Sequence, residues 1–303
     1  MRLPLTDGHT MYYEEHGSPS GIPVVVLHGG PGGGLQPSVL NNFDLKAWRV
    51  ILYDQRGCGA STPKYSTHAN TTWHLVADME RLRSHLGLER WVIFGGSWGT
   101  TLALAYASRY AERVRGMILR GVCLLDKWEQ NWLYRKGGAS QMFPREWASF
   151  EEGAGSGRGS LMSRYTRRLR NRRTRRTAAR AWWGWEAALS TLEPQKDTTP
   201  ISKVESLAVL ENHYFSHNAW LRPGQLLAAA RRFRFPINIV QGRYDMVCPP
   251  AAAHSLSQVA PHATIQYTLA GHAASEPATA AGLRAATDAL LKIFINSSSR
   301  KLL

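Results

Sequence analysis

Short apolar runs alternating with helix-patterned stretches, interrupted once by about a hundred residues without a strand, leave this chain few architectures. Residues 24–27, 50–53, 91–94 and 114–119 read as buried strands, and 75–86 and 100–109 carry helical spacing of apolar residues. Strands that are apolar along their whole length are covered on both faces, and their alternation with helices predicts a parallel sheet. From 126 to 230 the sequence is helical, rich in Trp and Arg, and offers no strand. The alternation resumes at 237–240, followed by a last strand over 264–269 and a final helix over 279–295. The expectation is one α/β core split by a helical cap, with core over 1–123 and 230–303 and cap over 124–229. The tail at 297–301 is expected to fray.

The turn after the third strand is Gly95-Gly96-Ser97-Trp98-Gly99, a G-x-S-x-G pattern between strand and helix. That context is what a nucleophile elbow needs: a serine on a tight turn, small neighbours, and helix N–H groups aimed at developing negative charge. The elbow requires an acid and then a histidine later in the chain. Asp245 follows the strand at 237–240, and His272 follows the next one. All three then project from the C-terminal edge of the sheet. Ser97 is the candidate nucleophile, His272 the base, and Asp245 the group that orients it. Asp126 and Asp288 are the alternative acids, but neither follows a late strand. The loop His28-Gly29-Gly30-Pro31-Gly32 is expected to supply part of an oxyanion hole, with one amide from Gly30 and one from Trp98.

These motifs predict the α/β-hydrolase fold. The quoted stretches HGGPGGG (28–34), YDQRGCGAS (53–61), NTTWHLVADMERLR (70–83), GGSWGTTLALAYA (95–107), ENHYF (211–215) and GRYDM (242–246) together resemble the proline iminopeptidases, also called prolyl aminopeptidases. G-x-S-x-G alone is shared by many esterases and lipases; the combination is far more specific. The resemblance implies release of N-terminal proline from peptides by a cytoplasmic enzyme with neither metal nor organic cofactor. It also implies that two cap glutamates, Glu186 and Glu211, hold the substrate's α-ammonium through charge-assisted hydrogen bonds. Taken without the resemblance, either glutamate reads as a solvated helix charge. Their aromatic neighbours suit an apolar pocket for a proline ring. The chain departs from the family around Cys123, near which a phenylalanine usually packs on that ring, so a wider, less selective pocket is expected. The loop after His272 is also simplified, though Glu276-Pro277 remains.

Composition excludes several other classes. No apolar run approaches the length of a membrane span, and the N-terminal MRLPLTDGHTMYYEEHG lacks the pattern of a secretory signal. Cys58, Cys123 and Cys248 are odd in number and widely spaced, which argues against a disulfide framework or zinc site and for a reducing compartment. No HExxH, CxxC or clustered His/Asp pattern is present, so no metal is expected. The net charge of +15 is uneven: residues 153–185 contain ten Arg and no Asp or Glu, and the remainder carries +5. An Arg cluster binds phosphate in some proteins, but no RNA- or DNA-binding motif accompanies this one. It reads as a solvated basic face of the cap, and no nucleic-acid partner is expected. Within the hydrolases, an esterase or amidase with a widened pocket is the competing reading. Epoxide and haloalkane hydrolases use an aspartate where this chain has Ser97.

Overall fold

The computed structural model describes residues 1–299. Its centre is an eight-stranded sheet in the order β1-β2-β4-β3-β5-β6-β7-β8. The strands are β1 (Arg2–Pro4), β2 (Thr10–Gly17), β3 (Ile22–Leu27), β4 (Trp48–Tyr53), β5 (Trp91–Gly96), β6 (Val114–Arg120), β7 (Ile237–Gly242) and β8 (Ala263–Thr268). The strands from β3 onward pair in parallel. β1 and β2 are antiparallel and did not register in the sequence reading. In β2, Thr10–Gly17, polar Glu14, Glu15 and His16 stay half-exposed while Met11 and Tyr13 are buried. That alternation suits an outer strand with one face in water.

Apolar helices cover both faces. On one side α1 (Thr72–His85), α2 (Trp98–Tyr110), α8 (Gln225–Ala230) and α9 (Pro250–Val259) pack on Val25, Leu27, Ile93, Leu119 and Ile239. On the other side α10 (Pro277–Ser299) packs Leu283, Ala286 and Leu290 against Val24, Val92, Ile118 and Val240. α10 continues through Ser299, so residues 297–299 of the tail expected to fray are helical; Arg300 and Lys301 lie outside the described residues.

Between β6 and β7 the chain runs through α3 (Lys127–Tyr134), α4 (Pro144–Gly153), α5 (Leu161–Arg170), α6 (Arg175–Ser190), α7 (Ile201–Ser216) and α8. The segment from α3 to α7 encloses its own core, formed by Trp147, Phe150, Tyr165, Trp182 and Trp185 with smaller apolar residues. Phe150 stacks on Tyr165 at 4.8 Å, and Tyr165 meets Trp182 edge-on at 5.0 Å. Much of the chain's tryptophan is used here, where ring area supplies the burial that a short helical unit needs.

The Arg-rich run lies on α5, the turn after it and the start of α6. Several of its side chains have local backbone partners: Arg164 donates to Gly155 O, Arg167 to Arg158 O and Arg175 to Leu169 O. Arg167, Arg168 and Arg170 stand in the last turn of α5, where cations offset the exposed carbonyls. Among the described residues one of the ten arginines is ion-paired, Arg180 with Asp197 at 3.4 Å.

Candidate active site

The strand order reverses at β3, which lies between β4 and β5. Ligand crevices in open parallel sheets form at such a switch, beyond the C-terminal strand ends. Here β3 leads into the His28 loop and β5 into Ser97.

Ser97 adopts φ 57°, ψ −126°, a conformation that side chains rarely tolerate. The turn is held by Ser97 N–H donating to Arg120 O (2.8 Å) and by Thr100 N–H and Oγ1 donating to Ser97 O (2.8 and 2.7 Å). The flanking glycines are demanded by close approach. A Cβ on Gly95 would lie 2.6 Å from Gly99 O, and one on Gly99 would lie 2.2 Å from Leu27 O.

Asp245 and His272 meet as the strand positions suggested. His272 Nδ1 lies 2.8 Å from Asp245 Oδ2, and both residues are buried. The aspartate's other contacts hold it rigidly: Oδ1 accepts from Val247 N–H (3.0 Å) and Cys248 N–H (2.7 Å), and Oδ2 also accepts from Gln241 Nε2 (3.2 Å). Asp126 instead sits at the start of α3 and accepts from Gly224 N–H, and Asp288 lies on α10. Ser97 Oγ stands 3.9 Å from Cys248 Sγ. His272 Nε2, the nitrogen that a serine nucleophile needs, is 3.1 Å from Arg120 Nη1.

The His28 loop approaches the serine closely: a Cβ on Gly29 would come within 3.3 Å of Ser97 Cβ. Gly30, at φ 109°, and Trp98, the first residue of α2, line the same cavity as Ser97. A first-turn amide such as that of Trp98 has no acceptor within its own helix. Gln55 ties the loop to the helix, since its Nε2 donates to His28 O (3.0 Å) and its Oε1 accepts from Trp98 Nε1 (2.9 Å). Sequence reasoning did not single out Gln55; its signal was the DQRG stretch after a strand.

The cavity between core and cap is about 680 Å³, within the roughly 300–1,000 Å³ of small-molecule sites. Ser97, His272, Cys123, Cys248, Tyr134 and Phe215 are among its walls, and Glu186 and Glu211 close its cap side. Both glutamates are buried, and among the described residues no cationic side chain comes within the 4.0 Å of an ion pair. Tyr134 Oη donates to Glu186 Oε1 (2.5 Å), and Trp182 Nε1 donates to Glu211 Oε2 (2.6 Å). Burial and then the neighbouring Glu186 hold the Glu211 carboxyl well above the usual range; burial also raises Glu186. Burial and a neighbouring carboxyl both favour the neutral form of such a group. Of the aromatics expected to form the pocket, Trp182 and Trp185 belong to the cap core, while Trp183 reaches the cavity.

Among the described residues, one group of potential metal ligands lies together, His28, Asp54 and Cys58, with ligand atoms within 4.8 Å of one another. The spacing in sequence did not reveal it. Its atoms serve the loops: His28 Nε2 accepts from Gln55 N–H, Asp54 accepts from Leu35 and Ala60 N–H (2.7 Å each), and Cys58 Sγ donates to Gln55 O. All three cysteines are free.

Residues 22–279 match the family model for the alpha/beta hydrolase fold. A probable proline iminopeptidase from Leptolyngbya boryana is 44% identical over 296 residues, covering 94% of this chain and 92% of that protein. The proline iminopeptidase of Xanthomonas citri is also 44% identical, covering 94% of each chain. That of Neisseria gonorrhoeae is 40% identical and covers 95% of each. The chain belongs to the proline iminopeptidase family of α/β hydrolases. Solved structures at lower identity share the fold: a putative aryl esterase from Burkholderia cenocepacia at TM-score 0.68 and 17% identity, covering 95% of this chain and 96% of that one, and an esterase from Exiguobacterium antarcticum at 0.64 and 18%, covering 95% and 98%. Cys123 lines the cavity, with its backbone held by Thr100 and Thr101. Among the described residues no helix is long and apolar enough to cross a membrane.

Proposed function

We propose that this chain is an aminopeptidase that releases N-terminal proline from peptides through an acyl-enzyme on Ser97. The observation that carries this reading is the Glu186–Glu211 pair, buried, with no cationic side chain in ion-pair range among the described residues, in the same cavity that Ser97 and His272 line. A hydrolase of neutral esters has no use for two desolvated carboxyls; an enzyme that recognises an α-ammonium does.

In the proposed mechanism Ser97 Oγ attacks the prolyl carbonyl while His272 Nε2 takes its proton. Asp245 holds the Nδ1–H tautomer and stabilises the imidazolium. The Gly30 and Trp98 amides receive the oxyanion. His272 then returns the proton to the leaving nitrogen, and water repeats the sequence on the acyl-enzyme. Residues 124–229 act as the cap that supplies the amine site, on a core formed by 1–123 and 230–303. The Cys123 side chain leaves the proline subsite wider than a phenyl ring would, so selectivity for proline relaxes. The three free cysteines favour a cytoplasmic setting. No metal or cofactor enters the scheme.

The test compares proline p-nitroanilide with its N-acetyl derivative and with p-nitrophenyl acetate. The free-amine anilide is expected to be turned over efficiently and the acetylated one hardly at all. Equal kcat/KM on both anilides, or activity on the simple ester alone, overturns the reading in favour of an esterase.

A further inference from the structure

Arg120 is the last residue of β6, beside the nucleophile strand, in register with Gly96. Its guanidinium lies against Gly96, where a Cβ would come within 2.5 Å of Nη2, and Arg120 is among the residues that line the cavity. Nη1 donates to His272 O (2.9 Å) and lies 3.1 Å from His272 Nε2. Among the described residues no carboxylate comes within 4.0 Å of this cation, whereas Arg56 is paired bidentately with Asp78 at 2.6 and 2.8 Å. Asp245 is nearby, but its oxygens are taken by Val247, Cys248, Gln241 and His272. A cation in an enclosed wall without a counter-ion is costly to keep unless an anion pairs with it.

The position of the guanidinium says which anion. Nε2 of His272 must accept the Ser97 proton, so its contact with Arg120 has to be given up before chemistry. The same Nε2 later protonates the leaving nitrogen, which therefore sits within about 3 Å of it. In a dipeptide the α-carboxylate carbon is two bonds from that nitrogen, about 2.5 Å away. A carboxylate there meets the planar fork of Arg120, which accommodates two carboxylate oxygens at once. Each added residue moves the chain terminus about 3.5 Å farther off.

We propose that Arg120 binds the free α-carboxylate of the residue released after proline, so that dipeptides draw the guanidinium off His272 Nε2 as they dock. Arg120 is then a specificity-determining and positioning residue, and the substrates it favours are dipeptides with an N-terminal proline. This rests on the aminopeptidase reading above.

The experiment measures kcat/KM for Pro-Gly, Pro-Gly-NH2 and proline p-nitroanilide with the wild type, Arg120→Met and Arg120→Lys. A hydrogen-bonded charge contact of this kind corresponds to a preference for Pro-Gly over Pro-Gly-NH2 of about 10-fold to 150-fold. That preference should vanish in Arg120→Met and survive in part in Arg120→Lys, whatever the change in absolute rate. A wild type indifferent to the carboxylate, or a preference unchanged in Arg120→Met, overturns the proposal; equal losses on both peptides are the mark of a merely structural arginine. If Arg120→Met does not fold, Arg120→Lys is read by the same ratio: a preference equal to the wild type's overturns the proposal. Failure of the underlying reading looks different: the wild type would then cleave neither peptide, or would cleave proline p-nitroanilide no better than its N-acetyl derivative.

Discussion

Replacing Glu211 by Gln separates what the amine site costs from what it does. Gln keeps an oxygen for Trp182 Nε1, which now donates to Glu211 Oε2 at 2.6 Å, so the shape of the wall survives and the charge goes. Truncating one side of a buried charged contact costs about 2–5 kcal/mol, which at 1.36 kcal/mol per decade is a loss of about 30-fold to 5,000-fold in kcat/KM. That loss should appear on proline p-nitroanilide and not on p-nitrophenyl acetate. Stability should move the other way. The folded-state pKa of Glu211 is raised by burial and by Glu186, so the folded protein holds a proton that the unfolded chain gives up. Stability of the wild type therefore falls as pH rises from the unfolded value toward the folded one. Glu211→Gln removes that dependence, and its melting temperature should exceed the wild type's by a margin that is small near pH 4 and larger at pH 8. Kinetics on both substrates and thermal melts at both pH values are the assays. A uniform loss across substrates with a lower melting temperature at pH 8 would show that the glutamates brace the cap and do not read the amine.

Three further tests bear on the rest of the site. Ser97→Ala should remove turnover at an unchanged circular dichroism spectrum, and Asp245→Asn should lower kcat by about 10⁴-fold, because an amide favours the wrong histidine tautomer; near-normal rates would assign the roles elsewhere. Arg56→Met should destabilise the fold by about 3–5 kcal/mol in urea titration by leaving buried Asp78 unpaired; a shift below about 1 kcal/mol would mean that Asp78 finds another partner. Iodoacetamide should inactivate the enzyme slowly at pH 7 and faster as pH rises, because Cys248 lies 3.9 Å from Ser97 Oγ and its thiol is held up by Cys123 and burial; rapid inactivation at pH 7 that Cys248→Ala leaves unchanged would contradict this.

The parallel strands were legible in the sequence because most of them are apolar along most of their length and run into glycine-bearing turns; β8, with Gln266 and Tyr267 exposed, is the exception to that apolar pattern. β1 and β2 were not, since β2 mixes Glu14, Glu15 and His16 with Met11 and Tyr13, and its identity as a strand depends on pairing with β4. Ser97, Asp245 and His272 could be picked out by position after strands, a local property. Arg120 could not: an arginine ending an apolar strand looks like any solvated strand terminus, and only the approach of His272 over 152 residues gives it meaning. Tyr134 and Gln55 were missed for the same reason, since what matters about each is a hydrogen bond to a distant residue.

The loop that carries His272 is fastened to the cap as well as to the sheet. Ala273 N–H donates to Ser190 O at the end of α6 (2.7 Å), and Glu276 accepts from both Gly271 N–H (2.7 Å) and Leu192 N–H (3.1 Å). Glu186 lies one helical turn before Ser190, whose Oγ donates to its carbonyl. The stretch that bears one amine-site carboxyl therefore shares its anchor with the imidazole, and tension in either is felt by the other. Under the proposed mechanism, loosening residues 190–192 should therefore disturb proton transfer as well as substrate grip, far from any atom that reacts.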